Sequence, residues 1–178
     1  MSWSADGYVK ALRLAAHWHR AQKMPGTELP YLVHLTSVCG EVQRALAAEP
    51  VPRPDVAVQG ALLHDILEDT PMTAAELIAE VGPEVTAVVQ ALSKDASLPK
   101  AEQMADSLRR IQAQPVEASV IKLADRITNL APPPGHWKRE KCAAYRLEAE
   151  QIALALGGAS PFLAARIRER IAAYAAYV

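Results

Sequence analysis

The chain has 178 residues, of which 51% are apolar and 22% are charged, and its formal net charge is −1. This length suffices for one domain with a sizeable core, so we expect a single domain over residues 1–178. The near-neutral charge gives no general attraction to nucleic acid or to anionic lipid, and neither is expected as a partner. No run of residues approaches the ~18 consecutive apolar positions that a membrane span requires.

The composition is rich in alanine and leucine and contains one phenylalanine, which favours packed helices over strands. Cys39 and Cys142 lie far apart and form no metal-type pair, which is typical of reduced thiols in the cytoplasm. Residues 1–6 lack the basic region followed by an apolar one that marks a signal peptide. We therefore expect a cytoplasmic protein, while nothing in the sequence indicates its oligomeric state.

Helical periodicity and proline-rich breaks predict an all-α fold, a single compact bundle of about eight or nine helices. Thr73-Ala-Ala-Glu76 has the form of a capping box. Ser160 followed by Pro161 is good chemistry for the start of the last helix. The predicted helices cover about 6–23, 31–48, 56–68, 73–82, 83–92, 99–113, 115–130, 136–156 and 162–177.

The stretch 61–70, with the sequence ALLHDILEDT, sets four ionisable residues among apolar, helix-favouring ones. At roughly 100° per residue, His64, Asp65, Glu68 and Asp69 would project from one side of a continuous helix. A solvated surface would not need the apolar residues around them. A core would not tolerate three carboxylates unless a positive charge lay among them, and the simplest candidate is a metal ion.

His34 and Asp125 also lie as isolated polar residues within apolar predicted helices. Alone, His34 could be a partly buried histidine that hydrogen-bonds a backbone carbonyl. Asp125 could pair with Lys122 or Arg126 at helical spacing, and residues 64–65 could be a polar cluster at a helix end. Each alternative is acceptable by itself, but together they require four independent burials of polar groups.

In order and spacing, these residues resemble the H…HD…D signature of the HD superfamily of metal-dependent phosphohydrolases. Residues 64–70 are similar to the HDxxEDT motif of the hydrolase domain in RelA/SpoT-type (p)ppGpp enzymes, and 30–34, 98–100 and 122–130 are similar to its flanking segments. The resemblance covers about 15–155. With no synthetase or regulatory region in the sequence, the chain most resembles the stand-alone small alarmone hydrolases.

The resemblance implies an HD-domain helical bundle that hydrolyses the 3′-diphosphate of (p)ppGpp to GDP or GTP and pyrophosphate. Glu68 and Asp69 would orient or deprotonate the attacking water; the alternative is an exposed acidic helix end. Two imidazoles and two carboxylates suit Mn²⁺ or a similar octahedral ion better than a thiolate-type zinc site, and manganese is the family's usual ion. The implied metal ligands are His34, His64, Asp65 and Asp125.

A nucleotide with so many phosphates needs cations beyond the metal. The available cations are Lys23, Lys94, Lys100, Lys122, Arg109 and Arg126, although most charges on helices are simply solvated. By the resemblance, Asn129 would contact the sugar or a phosphate and Tyr145 would lie near the nucleotide; Tyr145 as a packing residue is an equal alternative. The predicted substrate-binding residues are Lys23, Lys100, Asn129 and Tyr145.

Three positions depart from the family pattern. Residues 22–23 read Gln-Lys where the family has an arginine, associated with guanine, before the lysine; Ala131 replaces a phosphate-binding arginine, and Leu35 replaces a proline. Guanine specificity is therefore open. A phosphohydrolase acting on a deoxynucleotide or another 3′-phosphorylated nucleotide remains an alternative. So does a catalytically silent nucleotide-binding module, although Glu68 and Asp69 argue against it.

The remaining histidines are assigned no role in chemistry. His17 and His19 are two positions apart on a predicted helix, so they do not share a face and make poor joint ligands. His136 follows a proline-rich loop and is expected to be exposed.

Overall fold

The computed structural model describes residues 3–178, so the first two residues of the N-terminal stretch considered above lie outside it. Over this range the chain forms nine α-helices and no strand, which confirms the all-α prediction; an isolated bridge joins Lys23 to Pro30. Short 3₁₀ turns, Gly157–Ala159 and Ala175–Tyr177, follow the last two helices. The helices are α1 (Ala5–Trp18), α2 (Leu32–Ala48), α3 (Pro54–Leu63), α4 (Ile66–Asp69), α5 (Ala74–Leu92), α6 (Lys100–Gln112), α7 (Val116–Asn129), α8 (Arg139–Leu156) and α9 (Pro161–Tyr174).

Local sequence chemistry explains where several helices begin. The Thr73 hydroxyl accepts the N–H of Glu76, and the Glu76 carboxylate accepts the N–H of Thr73, so the predicted capping box is formed. The Ser160 hydroxyl accepts the N–H of Leu163 at 3.2 Å, and Pro161 occupies the first helical position of α9. Both starts agree with the sequence-based prediction.

The predicted break at 82–83 appears as a kink inside α5. Gly82 has φ = 83°, a left-handed conformation that glycine adopts without a steric penalty. Pro83 follows it and lacks the N–H that a continuous helix would use. The two predicted helices are therefore two segments of one kinked element.

The first helix is shorter than the predicted 6–23 and ends at Trp18. The backbone then turns, and the Gln22 carbonyl accepts the N–H of Tyr31 at 2.9 Å, which pairs the end of this segment with the start of α2. This pairing between distant residues replaces the last helical turn. It also brings residues 19–23 next to the polar cluster described below.

The predicted helix over 56–68 is wrong in a way that matters for the site. The α3 helix ends at Leu63, and α4 begins at Ile66 after a turn at His64 and Asp65. Asp65 has φ = −100° and ψ = −1°, and its carbonyl accepts the N–H of Asp69 at 2.9 Å. Consecutive residues of a continuous helix point about 100° apart. The turn instead lets the two adjacent side chains converge.

The α7 helix lies at the centre and packs against α2, α3, α5, α6, α8 and α9. It approaches α3 closely at Gly60, where an added Cβ would lie 2.7 Å from Cδ1 of Ile121. This contact sets the separation between His64, just past the end of α3, and Asp125, in the middle of α7. None of the helices within residues 3–178 has both the length and the apolar character needed to cross a bilayer.

Candidate active site

Three parts of the chain bring the four predicted ligands together: α2 supplies His34, the turn after α3 supplies His64 and Asp65, and α7 supplies Asp125. The Nε2 atom of His34 lies 3.4 Å from Nε2 of His64 and 3.5 Å from Oδ1 of Asp125, and the last two atoms are 3.7 Å apart. Oδ2 of Asp65 lies 3.0 Å from Nε2 of His64 and 3.8 Å from Nε2 of His34. Both histidines and Asp125 are buried.

These separations fit a single divalent ion. Two donors that are each about 2.1 Å from one ion, at adjacent corners of an octahedron, lie about 3 Å apart. One atom each from His34, His64 and Asp125 lies within 4.8 Å of the others, so these three residues could hold a metal. Asp65 is close enough to both imidazoles to be the fourth.

Hydrogen bonds orient the turn and the residues around it. Nδ1 of His64 donates to the carbonyl of Ala61 at 2.9 Å, which leaves the Nε2 lone pair for a metal. The Tyr31 hydroxyl donates to Oδ2 of Asp65 at 2.5 Å, and the Tyr31 ring packs on His34 with centroids 5.1 Å apart. Tyr31 is thus a part of the site to which the sequence analysis assigned no role. Its position one turn before His34 was the available signal.

Asp125 forms an ion pair on its own helix and also belongs to the cluster, so both interpretations of the sequence hold. Its Oδ2 pairs with Nζ of Lys122 at 3.0 Å, which is the ion pair at helical spacing. Its Oδ1 faces the two imidazoles and accepts the side-chain N–H of Asn129 at 2.5 Å. Asn129 and Lys122 therefore hold the carboxylate that faces the cluster.

The electrostatics of the cluster favour charged carboxylates. Burial alone would raise the pKa of Asp125, but the Lys122 ammonium and the neighbouring imidazoles of His34 and His64 hold that pKa well below its usual value. Burial alone would also raise the pKa of Asp65. The neighbouring imidazole of His64 nevertheless lowers this pKa to about 2. Burial alone would lower the pKa of His64, yet the two carboxylates raise it well above the usual value. Such a site attracts cations.

Glu68 and Asp69 lie on α4, one turn beyond the cluster, and both are exposed. Each is nevertheless held by a specific bond from a distant part of the chain. Oε2 of Glu68 accepts the backbone N–H of Lys94 at 3.0 Å, and Oδ2 of Asp69 accepts the side-chain N–H of Gln22 at 2.8 Å. A freely solvated helix end would not show these contacts, but a role in catalysis stays a prediction.

The predicted substrate-binding residues are placed less distinctively. Lys23 is exposed and pairs with Glu28, and Lys100 is exposed at the start of α6. The Tyr145 ring packs against Trp137, with centroids 5.3 Å apart, and under the guanidinium of Arg126 at 4.2 Å. Burial raises the pKa of Tyr145 to about 12. Its recorded contacts are those of a packing residue.

Besides Lys23, three other cations of the predicted pool are engaged in ion pairs. Arg126 is buried and pairs with Glu148 at 3.3 Å, Arg109 pairs with Asp106, and Lys122 pairs with Asp125. Since an engaged cation must leave its partner to bind a phosphate, these three are weaker candidates for substrate contacts than the sequence indicated.

Comparisons with known proteins agree with this geometry. A family model described as HD domain matches residues 11–156. A guanosine-3′,5′-bis(diphosphate) 3′-pyrophosphohydrolase of Danio rerio is 30% identical over 90% of each chain, and the enzyme of that name from Homo sapiens is 31% identical over 89% of each. A solved structure of a metazoan ortholog of SpoT that hydrolyses ppGpp superposes with a TM-score of 0.83, at 26% identity and over 96% of each chain. The fold, the clustered residues and these relatives together show that the chain belongs to the HD-domain family and is homologous to the SpoT-type ppGpp hydrolases.

Proposed function

We propose that this protein, as a single domain over residues 1–178, is a metal-dependent hydrolase that converts ppGpp or pppGpp to GDP or GTP and pyrophosphate. The observation that carries the proposal is the meeting of two imidazoles and two carboxylates beside an acidic pair on α4. The relatives support the substrate, because those with this activity in their names align over about nine-tenths of both chains.

The proposed ligands are His34, His64, Asp65 and Asp125, and the proposed ion is Mn²⁺. Two nitrogen and two oxygen donors without a thiolate suit an octahedral ion of this kind. When bound, such an ion neutralises charge on the attacked phosphoryl group and lowers the pKa of a coordinated water. Four protein ligands leave about two of its six positions for water and substrate.

Glu68 and Asp69 are the proposed groups that orient the water and accept its proton. The N–H of Lys94 occupies Oε2 of Glu68, and the amide of Gln22 occupies Oδ2 of Asp69. One oxygen of each carboxylate therefore remains for the water. The water oxygen bonds to the phosphorus next to the ribose, the bond from that phosphorus to the 3′ oxygen breaks, and the proton passes to the 3′ oxygen, which gives GDP or GTP and free pyrophosphate.

The proposed substrate contacts are Lys23, Lys100, Asn129 and Tyr145. Lys23 and Lys100 are exposed to solvent, where phosphates can reach them, although Lys23 must leave Glu28 to bind one. Asn129 lies at the site because it contacts Asp125. We also propose a cytoplasmic location. Both cysteines are buried free thiols, as is typical of that compartment.

The test is turnover of ppGpp by the purified protein with Mn²⁺, compared with turnover of GTP, dGMP and a 3′-phosphonucleotide, with the nucleotide products separated by chromatography and pyrophosphate release measured for ppGpp. Glu68→Gln should abolish turnover and retain metal, measured by elemental analysis. Glu169→Gln, at an exposed position of α9, is the matched control and should keep both.

Each other outcome points to a different function. If the protein turned over a deoxynucleotide or a 3′-phosphonucleotide faster than ppGpp, that compound would be assigned as the substrate instead. Metal binding without turnover of any nucleotide would indicate the silent binding module. Full activity of Glu68→Gln would remove Glu68 from the mechanism.

A further inference from the structure

We propose that Gln22 is a positioning residue for Asp69, and that His19 holds the Gln22 amide in the orientation this task requires. The inference rests on the proposed role of Asp69 in hydrolysis. It is carried by a chain of hydrogen bonds that begins at a buried histidine and ends at the exposed acidic pair.

The chemistry of the three groups fixes the direction of every bond in this chain. An ionised aspartate can only accept hydrogen bonds, so the group of Gln22 that faces Oδ2 of Asp69 at 2.8 Å is its NH₂. The Oε1 atom of Gln22 then faces Nδ1 of His19 at 2.6 Å. Because this oxygen only accepts, Nδ1 must carry the proton.

The burial of His19 disfavours its opposite tautomer. Its side chain is 2% exposed, and its Nε2 has no hydrogen-bond partner among the residues that the structure describes. A buried acceptor without a partner is unfavourable, and the opposite tautomer would be worse. It would set the Nδ1 lone pair against an oxygen and leave a buried N–H unpaired.

The same segment of chain supports the metal cluster as well. The His19 ring packs on Tyr31 with centroids 5.3 Å apart, and the Tyr31 hydroxyl binds Asp65. The Gln22 backbone accepts the N–H of Tyr31 at 2.9 Å. Residues 19–31 thus bind one predicted ligand and one residue of the acidic pair, which couples the position of Asp69 to that of the cluster.

Positioning predicts a change in kcat without a change in KM. Gln22→Met keeps the length of the side chain and loses both bonds, so kcat for ppGpp should fall about tenfold, as expected for the loss of a hydrogen bond to a charged group. Gln22→Glu still accepts from His19 but places a carboxylate against Asp69, so its kcat should fall further. KM and metal content should stay unchanged in both variants.

Three comparisons separate positioning from general damage to the fold. Gln151→Met, at an exposed position of α8, is the matched control and should behave as wild type. His19→Asn, whose amide nitrogen replaces Nδ1 as a donor, should keep most of kcat, whereas His19→Leu should lose as much as Gln22→Met. A ¹⁵N NMR spectrum of the full chain with Mg²⁺ should show the Nδ1–H tautomer of His19, and Gln22→Met should abolish it.

The outcomes distinguish this inference from the proposed function. If the wild type hydrolyses ppGpp and Gln22→Met keeps its kcat, or raises KM alone, Gln22 does not position Asp69. If the wild type hydrolyses no nucleotide, the proposed function fails; the positioning inference, which rests on it, fails with it. An Nε2–H tautomer of His19 in the wild type would overturn the inference under either result.

Discussion

Lys122 offers the most direct test of whether the cluster is a metal site. Its ammonium lies 3.0 Å from Oδ2 of Asp125, and the two side chains are only 12% and 9% exposed. Lys122→Met keeps the apolar stem and removes the charge. Without a metal, the carboxylates of Asp65 and Asp125 are then left with one compensating cation fewer.

The size of the effect should depend on whether a metal is present. Breaking a buried ion pair by removing one partner costs about 3–5 kcal/mol. For a chain of this length each kcal/mol lowers the unfolding midpoint by about 2–4 °C, so the metal-free variant should melt at least about 6 °C below wild type. A bound ion would itself compensate Asp125, so the loss should be clearly smaller with metal.

The assay is thermal unfolding followed by circular dichroism, in excess chelator and again in saturating Mn²⁺. Lys138→Met, at an exposed position just before α8, is the control and should leave both midpoints near wild type. Binding to the folded state raises the midpoint, and this rise should be larger for Lys122→Met than for wild type. An equal loss of stability under both conditions would show that no ion compensates Asp125, which would refute the metal site.

Three further outcomes follow from single contacts. Tyr31→Phe removes the hydroxyl that donates to Asp65, so metal affinity measured by chelator competition should fall about 10- to 100-fold; an unchanged affinity would exclude the contact from the site. Gly60→Ala would place a methyl group 2.7 Å from Ile121, so urea unfolding should show a loss of about 1–3 kcal/mol from overpacking, and no loss would mean that α3 and α7 can separate freely. Burial raises the pKa of the Cys39 thiol to about 12, so the unfolded thiol ionises first and its contribution to the free energy of unfolding, complete below about pH 8, should fall by about 1 kcal/mol from pH 9 to 10; Cys39→Ala should reduce the slope by this amount, and an unchanged slope would contradict the assignment.

The positions of the clustered residues followed from the sequence because their signal is local. His34 and Asp125 are polar residues on the largely apolar faces of their helices, and the apolar face of a helix packs into the core. Buried polar groups need polar partners. His34, Asp125 and the 64–65 pair were therefore expected to lie next to one another in the core. The structure brings them together, while their binding of a metal stays a proposal.

The turn at 64–65 was missed because its cause is not local. Residues 61–70 have a helical pattern throughout, and no glycine or proline marks a break among residues 61–69. The chain departs from the helix where His64 and Asp65 meet His34 and Asp125 from other helices. Tertiary contacts override a helical propensity worth only a fraction of a kcal/mol per residue.

His19 was missed for a related reason. The sequence pattern placed His19 on the same predicted helix as His17, two positions away and therefore on a different face. The helix ends before it, at Trp18, and the pairing of Gln22 with Tyr31 folds the segment back against α2. His19 is buried and Gln22 bonds to Asp69 within this folded-back segment, which the helical pattern alone does not indicate.

The two halves of the site share residues 19–31, but the side chains that hold each half differ. Within the cluster of predicted ligands, Asp125 is held by residues one turn away on its own helix, Lys122 and Asn129. The acidic pair instead depends on distant segments, through the N–H of Lys94 and the amide of Gln22. Changes in those segments can therefore reduce turnover while the cluster keeps its geometry. Metal binding and hydrolysis should be separable by mutation, and metal content alone cannot report activity in this protein.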